Sequence, residues 1–205
     1  VSFWTIPPMW FGKTVAILAS GPSLTGAVAE AVRCVGVPTI AINDTFRRAP
    51  WADMLYAADP EWWRVNPEAL DFAGLRASVS KVDSVLQLQN TGVEGFDPHP
   101  FAIRTGGNSG YQAVHIAIHA GAARVLLCGF DMHNRCGLHW HGSHPRPLRN
   151  TDEHSYAKWA SRFEALKGIG PEIVNCTPGS AIECFPKMDL NEALHEYHDH
   201  HAAVV

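Results

Sequence analysis

Positive charge is scarce in this sequence. Its 205 residues carry 16 Lys and Arg against 20 Asp and Glu, a formal net charge of −4 with histidine neutral. A nucleic-acid binder would show a basic excess or stripe, so no nucleic-acid partner is expected. Long apolar runs are missing as well: none reaches the roughly 18 residues that a bilayer span requires. Residues 1–13 have no basic segment ahead of an apolar core, so no secretory signal is read there and a cytoplasmic location is the default expectation. Cysteine is sparse. Cys34, Cys128, Cys136, Cys176 and Cys184 are odd in number and none forms a CxxC pair, which argues against a disulfide framework and a zinc knuckle. Cys34, Cys128 and Cys176 sit in apolar stretches and read as reduced core residues. No internal repeat is visible. What remains is a chain of 46% hydrophobic and 18% charged residues, the composition of a folded domain.

The stretch Val15 to Leu24 organises the rest. Val15-Ala16-Ile17-Leu18 reads as a short buried strand, followed by a turn at Ser20-Gly21-Pro22-Ser23 and an amphipathic helix over 24–33. Such a strand, glycine turn and helix N-terminus can hold a phosphate, because exposed backbone N–H groups and the positive end of the helix dipole face the anion. Pro22 suits a first helical turn, and Ser23 can cap it. The alternative is an ordinary turn that binds nothing.

Further strands are expected over 37–42, 54–58, 124–128 and 173–176, and shorter ones over 82–88 and 101–103. Helices are expected over 61–72, 111–119, 155–167 and 190–197, with Gly121 closing the one over 111–119. Near-continuous apolar strands alternating with helices predict an α/β, Rossmann-like fold: a mostly parallel sheet with helices on both faces. The expected organisation is an arm over 1–13, a single domain over 14–190 with a His-rich loop at 133–154, and a terminal helix and tail over 191–205. Ligands sit at the carboxyl ends of parallel strands. Those ends carry Ser20, Gly21, Asn43, Asp44, Asp59, Gly107, Asn108, Ser109, Gly110, Gly129 and Asp131. A nucleotide-type site is the natural reading.

The turn at 19–24, the strand ending in Asn43 and the run from Ser109 to His133 together resemble the bacterial sialyltransferases of glycosyltransferase family 42. They are also similar to Rossmann-like domains of the 6-hydroxymethylpterin diphosphokinase-like class, and to small phage-encoded proteins, which would act in the host cytoplasm. The helix from Glu153 to Leu166 and the turn at 176–182 extend the likeness. The resemblance implies a nucleotide or CMP-type nucleotide-sugar ligand and no required metal. Gly21 and Ser23 would hold its phosphate, and Asn43 its base or ribose. Ser109, Gly110, Asp131 and Ser180 would line the pocket. His154 would be the general base, a role that suits imidazole at neutral pH, and Arg104, Arg135 or His133 would stabilise the departing phosphate. The chain departs from that family in having Ser20 for an asparagine, His133 for a tyrosine, and Arg104 five residues ahead of Ser109.

Histidine is the abundant oddity, with 12 copies concentrated after residue 133. In a strand, His139 and His141 would share a side and could share a metal, although the loop shows no third ligand at fixed spacing. His195 and His198, with His200, His201 and Asp199, are a second such candidate. His115 and His119 read as core or interface residues. Three functions follow: a glycosyltransferase-like transferase, a pterin-type diphosphotransferase using ATP and Mg²⁺ with Asp59 and Asp131 as ligands, or a non-catalytic nucleotide binder. A homo-oligomer is left open.

Overall fold

The computed structural model describes residues 2–195. The strands are β1 (Thr14–Leu18), β2 (Thr39–Ile42), β3 (Met54–Tyr56), β4 (Leu75–Ser78), β5 (Leu86–Gln87), β6 (Gln89–Asn90), β7 (Ala102–Ile103), β8 (Arg124–Cys128) and β9 (Glu172–Asn175). The principal helices are α1 (Gly26–Val35), α2 (Pro60–Val65), α3 (Ser109–His119) and α4 (Glu153–Arg162). Seven strands form one sheet in the order β5-β4-β3-β2-β1-β8-β9, and every pairing in it is parallel. The chain is an α/β, Rossmann-like protein. β6 and β7 form a separate two-stranded ribbon.

Alternation along β1 explains the layering. Val15 and Ile17 belong to one apolar cluster, with α3, Phe163 and Phe185. Ala16 and Leu18 belong to the other, with Ala29 and Val32 of α1 and Trp62 and Trp63 of α2. All four are fully buried, so the central strand has no solvent face, as a sheet covered on both sides demands. No described helix is long and apolar enough to cross a membrane.

Several boundaries differ from the sequence expectation. α1 starts two residues later than expected and is capped by Thr25, whose Oγ1 accepts the Val28 N–H at 3.2 Å, not by Ser23. Pro22 therefore lies outside the first helical turn. The helix expected over 61–72 ends at Val65, because Pro67 cannot supply an N–H and Asn66 folds its side chain back onto the Trp62 carbonyl. A 3₁₀ turn over Pro67–Asp71 follows. α4 likewise gives way to a 3₁₀ turn over Phe163–Leu166. β4 was not anticipated. Its sequence, Leu-Arg-Ala-Ser, lacks an apolar run because only Ala77 and Ser78 are buried. Cys34 is exposed and not in the core; Ala29 and Val32 set the inward phase of α1 and leave it on the outer face. Residues 190–195 are helical; His198, Asp199, His200 and His201 lie outside the described residues.

The arm over 2–13 packs onto the domain. Trp4 donates its N–H to the Gln87 carbonyl at 2.8 Å, and Trp10, 5% exposed, donates to Ala120 at 2.9 Å.

His115 is buried in the core and His119 is half-buried beside it, both facing Phe96. The Arg104 backbone N–H donates to His115 Nδ1 at 3.4 Å. Burial, reinforced by neighbouring His119, pushes His115 down to about 3 from 6.5, with Asp97 opposing. The folded chain thus keeps it neutral while the unfolded chain takes up a proton as pH falls through about 6.5. Stability is fully present above that value and declines between about 6.5 and 3, by at most about 1.4 kcal/mol per pH unit for one group. The urea midpoint is expected to fall from pH 7 to pH 4.5, with a shallower slope in His115→Gln. Parallel slopes for the two proteins would refute this assignment.

Candidate functional site

The chain moves outward from β1 through β2, β3 and β4 to β5, then returns through α3 to β8 on the opposite side of β1. A crevice opens at such a reversal, beyond the carboxyl ends of the strands. A cavity of ≈ 510 Å³ occupies this position. Ser20 and Gly21 reach it from the end of β1, Asn43 from β2, Asp59 from β3, and Gly129 and Asp131 from β8. Gly107, Asn108, Ser109 and Gly110 line it from the start of α3, and His133, His139 and His144 from the long loop after β8. Trp62, Phe130, Tyr156 and Trp159 add aromatic surface. The cavity thus gathers the strand-end residues Ser20, Asn43, Asp59 and Asp131 with Asn108 and Ser109 at the start of α3.

The glycine turn after β1 is not an open phosphate cradle. Asp131 lies across it: Ser23 donates its hydroxyl to Asp131 Oδ2 at 2.7 Å and its backbone N–H to Oδ1 at 3.3 Å. The protein's own carboxylate fills the anion position expected of Gly21 and Ser23. Pro22 and Ser23 do not line the cavity; Ser23 lines a separate pocket of ≈ 640 Å³ beside α1.

The open helix N-terminus belongs to α3. Asn108 caps it, its Oδ1 accepting the Tyr111 N–H at 2.8 Å. Its Nδ2 is buried without a partner. The first-turn N–H groups of an α-helix also lack intrahelical partners, so this end presents several donors and the positive end of the dipole. Gly110 is required by packing: a Cβ would stand 2.6 Å from Phe130 Cε1.

His133 is held through Nε2, 3.1 Å from the Gly179 carbonyl oxygen. A carbonyl only accepts, so Nε2 carries the proton, and in the neutral tautomer Nδ1 is the acceptor. That Nδ1 is buried and has no partner. Two residues along the cavity wall, Asn43 and Met132, have left-handed backbone with φ of 49° and 54°. This costs a bulky side chain such as Met132 about 1–2 kcal/mol.

The remaining expected residues lie elsewhere. His154 is exposed in the first turn of α4 and does not line the cavity. Arg104 is outside it too, its Nε buried without a partner, and Arg135 is exposed. Ser180 is buried and structural: its hydroxyl donates to the Phe130 carbonyl at 2.6 Å. Asp59 lines the cavity and also caps α2 by accepting the Glu61 N–H at 2.8 Å. Asp44 sits behind the wall, paired with Arg47 and accepting the Trp62 Nε1–H at 2.9 Å.

The loop after β8 is pinned over the cavity. Trp140 donates its backbone N–H to Ser20 at 3.0 Å and its Nε1–H to Thr45 Oγ1 at 3.3 Å, and the Arg48 guanidinium lies 3.8 Å over its ring. Residues 139–142 form a turn, not a strand, closed by the Gly142 N–H on the His139 carbonyl at 3.0 Å. The turn still brings His139 and His141 together, stacked with ring centres 5.0 Å apart, and adds His144. Burial pushes His139 down to about 4, with His144 and His141 adding to the shift, and lowers His141 and His144 as well. The sequence reading lacked His144 as a partner for this pair, and it passed over Tyr156, Trp159 and Arg149. The path of the loop brings in His144 and Arg149, and the phase of α4 brings in Tyr156 and Trp159.

No protein-family model matches the sequence, and neither a curated protein nor a solved structure gives a significant match.

Proposed function

We propose that the chain is a nucleotide-dependent transferase, glycosyltransferase-like in form, that holds a nucleotide or CMP-type nucleotide-sugar in the cleft between β1 and β8. The observation that carries this reading is the capped start of α3 in the cavity, with Asn108 Nδ2 buried and unpartnered. That end suits a phosphate, whose oxygens would satisfy the amide and the first-turn N–H groups together. Aromatic faces at Trp62, Tyr156 and Trp159 suit a base, and Asn43 and Asp59 suit a ribose.

His133 replaces His154 as the acid–base group in this reading. Its Nε2–H is fixed on a backbone carbonyl, which leaves Nδ1 free to accept a proton from an acceptor hydroxyl. Positioning of donor and acceptor in the cleft would supply much of the remaining rate. Both oxygens of Asp131 already accept from Ser23, an arrangement that favours this reading over Mg²⁺-dependent diphosphate transfer.

A thermal-shift panel of CMP, CDP, UDP, GDP, ATP and pterins, each with and without Mg²⁺, tests the proposal. A ligand at about 100 times its Kd adds roughly 2.7 kcal/mol of stability. A Mg²⁺-independent shift with a nucleotide is expected. It should disappear in Asn108→Asp, which keeps the helix cap and sets a negative charge where the phosphate would lie. With a donor identified, His133→Asn should lower turnover by about 10²–10⁴-fold while leaving the nucleotide shift in place. Absence of any nucleotide shift, or one seen only with ATP and Mg²⁺, would sink the transferase reading.

A further inference from the structure

Three imidazoles converge at the rim of the cleft. One ring nitrogen from each of His139, His141 and His144 falls within 4.8 Å of the other two. His139 Nε2 and His141 Nε2 are both buried and, among the described residues, have no hydrogen-bond partner. Two unsatisfied ring nitrogens in one cluster are an uncommon arrangement for a structure to retain without compensation.

The cluster does not resolve as an ion pair. Asp44 Oδ2 lies 3.8 Å from His141 Nε2 and 3.7 Å from His144 Nδ1, both beyond hydrogen-bond length. That carboxylate is already committed to Arg47 and Trp62. Nor is the cluster a loose surface collection. His141 and His144 side chains are 16% and 11% exposed. The turn at 139–142 is tied to Ser20 and Thr45 through Trp140, and the His144 N–H donates to Asn150 Oδ1 at 2.8 Å.

We infer that His139, His141 and His144 form a binding site for a divalent transition-metal ion of the Zn²⁺ kind on the wall of the cleft. Three imidazole nitrogens without a thiolate select borderline ions such as Zn²⁺, Co²⁺, Ni²⁺ or Cu²⁺ over Mg²⁺ and Ca²⁺, which prefer oxygen. A tetrahedral ion with Zn–N bonds of about 2.0–2.1 Å needs donors about 3.4 Å apart, so pairs that start within 4.8 Å would close by up to about 1.4 Å on binding. The outer partners fit. Ser20 Oγ lies 3.2 Å from His139 Nδ1 and orients that ring with Nε2 toward the cluster, as a ligating histidine is usually oriented through its other nitrogen. Asp44 adds a compensating negative charge beside the other two rings. Three protein ligands leave a fourth position for water or an anion. His139 and His144 both line the cavity, so an ion there would be part of its wall. The inference does not depend on the transferase reading, since binding is measured with the metal alone.

The experiment is a titration of the full chain, freed of metal, with Zn²⁺ by calorimetry and with Co²⁺ by visible absorption. The tail histidines are a second source of ligands, so the titration is repeated in a chain carrying His195→Ala, His198→Ala, His200→Ala and His201→Ala. One equivalent of tight Zn²⁺ is expected in both chains, with visible bands of low-symmetry Co²⁺ and no response to Mg²⁺ or Ca²⁺. In the tail-substituted chain, His139→Asn, His141→Asn and His144→Asn should each weaken binding by at least about 100-fold. Ser20→Ala, which removes no ligand, should weaken it by about 10–100-fold. The metal-free melting temperature of each variant establishes that it is folded, and the three ligand positions serve as replacements for one another should one variant fail to fold. Loss of the tight site on substituting the tail, or retention of it when folded loop variants are titrated, would overturn the assignment.

Discussion

Gly21→Ala is expected to cost about 3 kcal/mol or more and to abolish nucleotide binding in the cleft. A methyl group at this position would overlap Asp131 Oδ2 and the Gly129 carbonyl oxygen, and would stand 2.8 Å from Asp131 Cγ. Two of these neighbours belong to a carboxylate held by Ser23, and the third is backbone after β8. None is the free end of a flexible side chain, so relief requires the ends of β1 and β8 to separate. Those strands are paired from Thr14–Arg124 to Leu18–Cys128, and the Gly21 N–H itself donates to Gly129 at 3.0 Å. Inserting a methyl into well-packed structure costs typically about 1–3 kcal/mol and more where the backbone must move. Gly26→Ala is the matched control. It lies in α1 with open space around it, so alanine should be neutral or stabilise by up to about 1 kcal/mol. Urea midpoints at constant m-value measure both. Equal stability for the two variants would show that the turn is not as tightly closed as the geometry implies.

That result bears on what the sequence could reveal. The turn around Gly21 was legible as a glycine turn at a strand end, because the apolar run before it and the amphipathic run after it are local patterns. Its occupancy was not. Asp131 is 108 residues from Ser23, and only the parallel pairing of β1 with β8 brings them together. The same logic separates the rest of the site. Asn43, Asp59 and Asp131 are legible as cleft-lining positions because they stand at the carboxyl ends of parallel strands. His154 was expected from likeness in the α4 region, but the phase of α4 turns Tyr156 and Trp159 toward the cavity and leaves His154 outside. His144 joined His139 and His141 through the path of an irregular loop, which carries no periodicity to read. β4 went unanticipated for a related reason: a half-exposed strand of four residues has too little apolar content to stand out.

Phe130→Ala is expected to destabilise the chain by about 3–5 kcal/mol, the range for removing a buried phenyl group. Phe130 is 1% exposed and meets Phe163 edge-on at 6.0 Å, and Phe163 in turn contacts Tyr111 and Phe185. Its backbone is fixed on both sides, with its N–H donated to Thr177 Oγ1 at 2.9 Å and its carbonyl accepting the Ser180 hydroxyl. The backbone therefore cannot sink into the void, which removes the usual means of softening such a deletion. One effect works the other way. Phe130 also lines the cleft, so water can enter the space it leaves, and this favours the lower half of the range. Phe130→Leu should recover more than half of the loss. At about 2–4 °C per kcal/mol for a chain of this size, Phe130→Ala should lower Tm by roughly 10 °C. A drop of less than about 3 °C would mean that the α3 N-terminus is not braced through Gly110 on this ring. If it is so braced, any residual nucleotide affinity of the folded variant should fall with the ring. The α3 donors would then lose the alignment that makes them an anion site, although none of them was itself changed.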